Sequence, residues 1–325
     1  ILAIAHSLNN EPLIISALVN ISIQSLAYEQ IEMLVASGKL SDKQLWALAD
    51  AIEPIDMDRI MLRAMVGERC FIHGIFNDTE TLAGSLSSTP TAGRVIVAAL
   101  RTSGLMDIDH SSSLDVMEDY VAYAESPTWP LPAYLDDIDN RVPRICIVTR
   151  MMIPALSSAY RASRQCEARR RALLTGIAVE RYRQAHGRFP AQLSDLVPQF
   201  IDAVPLDPFD DQPLRYRTED AGGIIYSLGA DSIDNDGRRY NDVGRDFQDD
   251  TDVTFTFGGL QEQLWPLPEI EETYYGDMYG GYSEPGEEEV EEPTDAEPAD
   301  GADVVTDPDN AAEPDDTDNG AEQAL

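Results

Sequence analysis

Residues 172–237 read ALLTGIAVERYRQAHGRFPAQLSDLVPQFIDAVPLDPFDDQPLRYRTEDAGGIIYSLGADSIDNDG, and the order of signals in this stretch decides the fold. A helical pattern runs up to Gly187, the residue type that most readily takes the left-handed conformation at a helix end. Pro190 follows, and a proline has no N–H for a further helical turn. Pro198, Pro205, Pro208 and Pro213 then divide the chain into short pieces. Residues 214–217 and 224–227 read as paired strands joined around Glu219-Asp220-Ala221-Gly222-Gly223, a turn-forming cluster. Residues 253–257, rich in β-branched and aromatic side chains, read as a third strand.

Upstream of this stretch the spacing predicts one long helix over 154–185, with Pro154 in its first turn. Its apolar positions include Cys166, Leu173, Leu174, Ile177, Ala178 and Tyr182, a stripe that needs the buried face of a small antiparallel sheet. Between them lie Arg161, Arg164, Arg169, Arg170, Arg171, Arg181 and Arg183. These arginines are either a docking surface for an acidic partner or a helix face pairing locally with Glu167 and Glu180. The helical spacing favours local pairing.

The first part of the chain reads as helices. Asn10 caps a helix over 11–38 that carries Pro12 in its first turn and stops at Gly38. Ser41-x-x-Gln44 has capping-box spacing and opens a second helix through Ile52. A third runs over 56–76, with Ile60, Met61, Ala64, Met65, Cys70 and Phe71 on one buried face. Further helices are expected over 91–102 and 112–124, followed by a proline-rich crossing segment over 126–143. The uncharged run 12–28 contains Ser16, Asn20, Ser22, Gln24 and Ser25. It is too short and too polar for a membrane span, which needs about 20 apolar residues; a buried soluble helix is expected. The organisation is therefore α+β: an all-α region over 1–150, a helix-on-sheet domain over 151–268, and a tail over 269–325.

Charge is distributed unevenly. The chain carries 59 acidic and 23 basic residues, a net −36, and residues 269–325 hold 21 of the acidic ones with no Lys or Arg. So few apolar groups at such charge cannot offset the entropy of ordering, so this tail is expected to be disordered. The rest of the chain is acidic too, which excludes a nucleic-acid phosphate backbone as a natural partner. Cys70, Cys146 and Cys166 have no paired metal or redox spacing; Cys146 and Cys166 lie in apolar patterns and are expected as core residues. The odd count leaves room for one disulfide at most.

The ending Tyr182-Arg183 with Gly187, Phe189 and Pro190 is followed by Leu193, Leu196 and Pro198, then Val204-Pro205-Leu206-Asp207-Pro208-Phe209, then Tyr226-Ser227-Leu228-Gly229 with Asp231. This series resembles the C-terminal half of the major pseudopilin of type II secretion systems. The resemblance covers about the last third of the part expected to fold. It implies a long helix packed on an antiparallel sheet, and a calcium-binding loop after the Tyr-Ser-Leu-Gly motif. Asp231 matches the first metal position, and a later acidic pair, here Asp249 and Asp250, would complete the site across a longer interval than the family has.

Read from the residues alone, the loop 229–237 offers Asp231, Asp234 and Asp236 between Gly229 and Gly237. A hard cation such as calcium takes about six to eight oxygen ligands, which alternating carboxylates supply. An EF-hand is excluded, because Ser232 and Val243 stand where its first and last carboxylates belong. The alternative is an Asp-Gly turn without metal. The expected metal set is Asp231, Asp234, Asp236, Asp249 and Asp250, with calcium as the ion.

Catalytic patterns are sparse. His6, His73, His110 and His186 form no metal-hydrolase motif, and no nucleophile elbow or phosphate-cradling glycine loop occurs. His110-Ser111 beside Asp107 and Asp109 has triad residue types, but the spacing reads as a helix start capped by Ser111 or Ser112. His186 reads as a cation at a helix C-terminus. The expected function is a non-enzymatic extracytoplasmic structural or assembly protein of a bacterial envelope or secretion apparatus. True pseudopilins join an apolar anchor helix directly to the globular domain, whereas here about 150 residues precede it. Because the sequence begins at Ile1, any anchor is expected in a segment outside it. The rival reading is an envelope hydrolase working around Glu68, His73 and Asp78.

Overall fold

The structure is a computed structural model that describes residues 1–130, 132–219, 222–237 and 252–258. Asp249, Asp250 and the tail over 269–325 lie outside the described residues. In chain order the helices are α1 (Leu2–Leu8), α2 (Ile14–Ala36), α3 (Asp42–Ile52), α4 (Met57–Asn77), α5 (Thr79–Leu86), α6 (Pro90–Thr102), α7 (Leu105–Glu125), α8 (Ala133–Asp136), α9 (Ile138–Arg141) and α10 (Ile147–His186). Strands β1 (Arg215–Glu219), β2 (Gly222–Ser227) and β3 (Val253–Gly258) form one antiparallel sheet in that order. The architecture is α+β and mostly helical. Ile1–Leu267 form one compact unit; the other, Pro268–Leu325, has no described residues.

Local signals explain most boundaries. Ser41 and Gln44 form the capping box of α3, and Asp56 caps α4 by accepting the Arg59 N–H at 3.0 Å. Gly187 ends α10 at φ +71°, where a Cβ would crowd the backbone. α2 buries Ile14, Ala17, Ile21, Gln24, Tyr28, Ile31 and Val35, steps of three and four residues that lay one seam against α10. The polar members of α2 are satisfied inside. The Tyr28 hydroxyl donates to Gln24 Oε1 at 2.8 Å, Gln24 donates to Asn20, and Asn20 donates to the Ala5 carbonyl at 3.0 Å. This chain ties α1 to α2 while leaving no buried amide unpaired.

α10 has 40 residues and is about 60 Å long at 1.5 Å per residue. It packs on α2, α3 and α7 and also on β2 and β3. Its contact with the sheet depends on Gly176. A Cβ built at that position would lie 2.1 Å from Cε1 of Phe255, whose ring is itself buried. The first turn of α10 is capped from α7: Asp109 accepts the N–H groups of Val148 and Thr149 at 2.9 and 3.1 Å, and the Thr149 hydroxyl at 2.7 Å. At the sheet's outer edge, the Thr256 N–H donates to Glu32 of α2 at 3.3 Å, so α2 covers β3.

The arginines of α10 are engaged within the chain. Arg170 and Arg171 bond Glu167 at 2.8 and 2.6 Å, and Arg183 bonds Glu180 at 2.6 Å. Arg169 reaches Glu29 of α2 at 3.2 Å and Arg181 reaches Asp42 of α3 at 2.7 Å. Arg164 faces Asp58 of α4 at 3.4 Å, an ion pair without hydrogen-bond alignment. Burial pushes the Glu167 carboxyl up, but the hydrogen bonds and charges of Arg170 and Arg171 outweigh it and hold Glu167 below the usual range.

Several expectations are corrected. α10 starts at Ile147 rather than at residue 154, so Pro154 lies inside the helix; the cap that permits the earlier start comes from α7, far away in sequence. α7 starts at Leu105 behind Gly104 (φ +74°), which puts His110 and Ser111 within a helix and not at its start. The helix expected over 11–38 begins at Ile14, preceded by the separate α1; Glu68 accepts the Ile14 N–H at 3.2 Å, the bond expected of Asn10. Cys70 and Phe71 are exposed, and Ile72 and Phe76 take their places on the buried face of α4. Cys146 and Cys166 are buried and free, and burial pushes the Cys166 thiol up to about 12.

Because Phe255 is enclosed on all sides, Gly176→Ala should destabilise the protein by about 1–3 kcal/mol through overpacking. Urea denaturation measures this. An unchanged midpoint would show that the helix and sheet do not meet as closely as described.

Candidate functional site

The site begins with a buried carboxylate. Asp207, in Val204-Pro205-Leu206-Asp207-Pro208-Phe209, is fully enclosed, and four donors from three segments converge on it. Its Oδ1 accepts the Phe209 N–H at 2.9 Å and the Ser227 hydroxyl at 2.7 Å. Its Oδ2 accepts the Leu228 N–H at 2.9 Å and Arg215 Nη1 at 2.6 Å. Arg215 is shared with Asp210, so the guanidinium stands between two carboxylates. A buried charge is tolerated only when paired and hydrogen-bonded in this way. The result fastens the proline-rich segment to the end of β2 and fixes where the chain emerges into the loop 229–237.

That loop turns sharply. Gly229, Ser232, Asp236 and Gly237 all have positive φ, between +56° and +75°. Asp231 Oδ1 accepts the Ile233 N–H at 3.0 Å, and Asp234 Oδ1 accepts the Asp236 N–H at 2.9 Å and the Tyr226 hydroxyl at 3.2 Å. These are Asx-type turns in which each carboxylate braces the backbone two residues on. Asp252, the residue before β3, closes the loop from the other side. Its Oδ2 accepts the N–H groups of Gly237 at 2.7 Å and Asn235 at 3.2 Å. Burial is the main reason its carboxyl is pushed up to about 6; the backbone N–H groups oppose the rise, and the charges of Asp234 and Asp231 add to it. Asp231 keeps Oδ2 buried and without a hydrogen-bond partner.

Of the expected metal residues, Asp231 and Asp234 lie close enough to Asp252 for their charges to act on it. Asp236 is exposed and meets Asp234 through its own backbone N–H. Asp249 and Asp250 lie outside the described residues. Among the described residues, no group of three or more His, Cys, Asp or Glu side chains is arranged to hold a metal ion. The donor chemistry nevertheless suits a hard cation: all-oxygen, with one orphaned buried carboxylate oxygen and one carboxyl that resists ionisation. Asp252 is the residue that sequence reading missed. Its signal was its position as the acid immediately before the third strand.

The residues of the hydrolase reading are employed separately. Glu68 accepts the Ile14 N–H, and Asp78 caps α5 by accepting the N–H of Glu80 at 3.0 Å and the hydroxyl of Thr81 at 2.6 Å. His73 Nδ1 lies 3.0 Å from His110 Nε2, and Asn77 approaches His73 Nε2 at 3.3 Å. Burial, then the neighbouring His73, pulls the His110 pKa down against Asp107 and Asp109. Among the described residues no hydrogen bond joins Glu68, His73 and Asp78. Asp109 is committed to the α10 cap, and His110 and Ser111 are consecutive residues within α7, so among the described residues the Asp107–Ser111 stretch forms no triad. Compared with known proteins, the chain matches no family model, no curated protein and no solved structure.

Asp207→Asn keeps the shape but removes the charge and sets N–H groups against the donors already there. It should cost about 3–5 kcal/mol, the scale of breaking a buried ion pair. A loss below about 1 kcal/mol in urea denaturation would mean that other contacts hold the loop.

Proposed function

We propose that the chain is a non-enzymatic extracytoplasmic structural or assembly protein. Its C-terminal part is related to type II secretion pseudopilins, and its 229–237 loop is ordered by one calcium ion. One observation carries the reading. Three residues of the motif series, Asp207, Ser227 and Leu228, converge in a single hydrogen-bonded junction from which the acidic loop departs. This junction supports the reading, because these members of the series are placed by one another. The 40-residue helix packed on a three-stranded antiparallel sheet supports the same reading.

In this proposal the cation is held by Asp231 and Asp234 with Asp252, and Asp236, Asp249 and Asp250 supply further oxygens. Calcium would offset the burial and the neighbouring charges that resist the ionisation of Asp252. Its partners would be proteins of the envelope or secretion apparatus. Among the described residues no helix is long and apolar enough to cross a membrane; membrane attachment is proposed through a segment beyond this chain.

The test is a thermal melt of the full chain in calcium and in chelator, alongside Asp231→Ala and Asp252→Asn. The acidic tail also attracts calcium diffusely, so the variants in the same chain are the comparison. Calcium should stabilise the wild type by about 2.7 kcal/mol at a hundredfold excess over Kd, and the variants by clearly less. Equal shifts in all three would sink the metal assignment.

A pH scan follows from the sign of the Asp252 shift. Its folded pKa lies above the ordinary carboxylate value, so the chelated protein should lose stability as pH rises toward and through about 6. His110 works in the opposite sense, because its lowered pKa removes stability as pH falls through the ordinary histidine value. His110→Gln is therefore the proper background. In chelator this background should melt higher at pH 5.5 than at pH 7.5 relative to the same chain with Asp252→Asn, about the pKa cited. Calcium should abolish the difference.

A further inference from the structure

α2 is apolar on two sides, and the described residues of this chain cover only one of them. The inner seam faces α10. On the opposite side Val19, Leu26 and Met33 are 45, 59 and 48 % exposed, with the half-buried Ile23 and the exposed Gln30 between them. These five positions advance by four, three, four and three residues. That is the period of about 3.5 that a second helix lying alongside requires, with one polar residue in the seam of the kind that sets register. A lipid surface or an irregular groove makes no such demand on spacing.

We propose that α2 pairs antiparallel with α2 of a second copy of this chain, about a two-fold axis at Leu26. Leu26 is the middle of the five positions, so the axis sets Val19 level with the partner's Met33 and Ile23 within one residue of the partner's Gln30. The surface is self-complementary, as an isologous interface must be. Charge selects the direction. Glu11 stands just before α2, and Lys39 and Lys43, the chain's two lysines, stand exposed just past its end. Antiparallel pairing brings the Glu11 end of one copy level with the lysine end of the other, whereas parallel pairing stacks like charges. The pairing rests on neither the calcium loop nor the pseudopilin likeness.

The experiment uses the full chain with Cys70→Ser, because Cys70 is the exposed cysteine and Cys146 and Cys166 are buried. Sedimentation equilibrium should find a concentration-dependent dimer, at ordinary and at raised salt, the latter screening the net charge of −36. Leu26→Glu should give a monomer with an unchanged far-UV spectrum. Under mild oxidation Leu26→Cys should link to itself. Val19→Cys and Met33→Cys should not link alone but should link when mixed. Three outcomes would overturn the proposal: a monomeric parent chain, including one that floats with lipid vesicles; a dimer that survives Leu26→Glu; or Val19→Cys and Met33→Cys each linking to themselves, the mark of a parallel pair. The cross-linking arm decides the matter even where Leu26→Glu fails to fold.

Discussion

Everything in this molecule depends on how closely the sheet can approach α10. Phe255 lies on that helix at the one position that has no side chain, Gly176. From this contact the aromatic layer spreads outward: Phe257 tilts against Phe189 at 4.9 Å and stacks with Tyr216 at 5.9 Å. The Tyr216 hydroxyl in turn donates to the Pro190 carbonyl at 2.8 Å, which holds the chain just after the helix end. A larger residue at 176 would lift the sheet and loosen each of these contacts in sequence, because close-packed interiors transmit displacement rather than absorb it.

A second theme is the use of carboxylates as joints. Among the described residues most acids are exposed to water. The buried ones do something different. Asp109 joins α7 to α10, Glu32 joins α2 to β3, Glu167 gathers two arginines, and Asp207 joins the proline-rich segment to β1 and β2. Each accepts N–H or O–H groups that would otherwise be buried without partners. At Asp252 the pKa rises despite two good hydrogen bonds. The carboxyl's difficulty is first its burial, to which the company of Asp231 and Asp234 adds negative charge.

The sequence was most legible where the cause of a structure is local. The Ser41–Gln44 capping box, the Asp56 start of α4, the Gly187 stop and the three strands each depend on residues within a few positions, and they form close to where they were expected. The pairing of Glu167 and Glu180 with neighbouring arginines was legible for the same reason. What could not be read were devices assembled from distant segments. The early start of α10 needs Asp109; the start of α2 uses Glu68; the arginines that reach Glu29, Asp42 and Asp58 cross between helices. On α4 Ile72 and Phe76 are buried in place of Cys70 and Phe71, because α4 packs on α7, where Phe76 stacks on His110 at 4.7 Å. In the acidic loop the three alternating aspartates were plain, but the role of Asp252 emerges only when β3 lies beside β2.

The bond from Thr256 to Glu32 spans 224 residues of sequence. During synthesis α2 emerges long before β3 exists, and its buried carboxylate must wait for a strand near the far end of the folded unit. Until then the N-terminal helices can pair with one another, as α4 does with α7, but α2 keeps an acidic gap on its inner side. Such closure between distant ends is slow, because the chain entropy is lost before the contact forms. The helical region is therefore expected to remain incomplete on the ribosome and to settle last, when the sheet arrives to finish it.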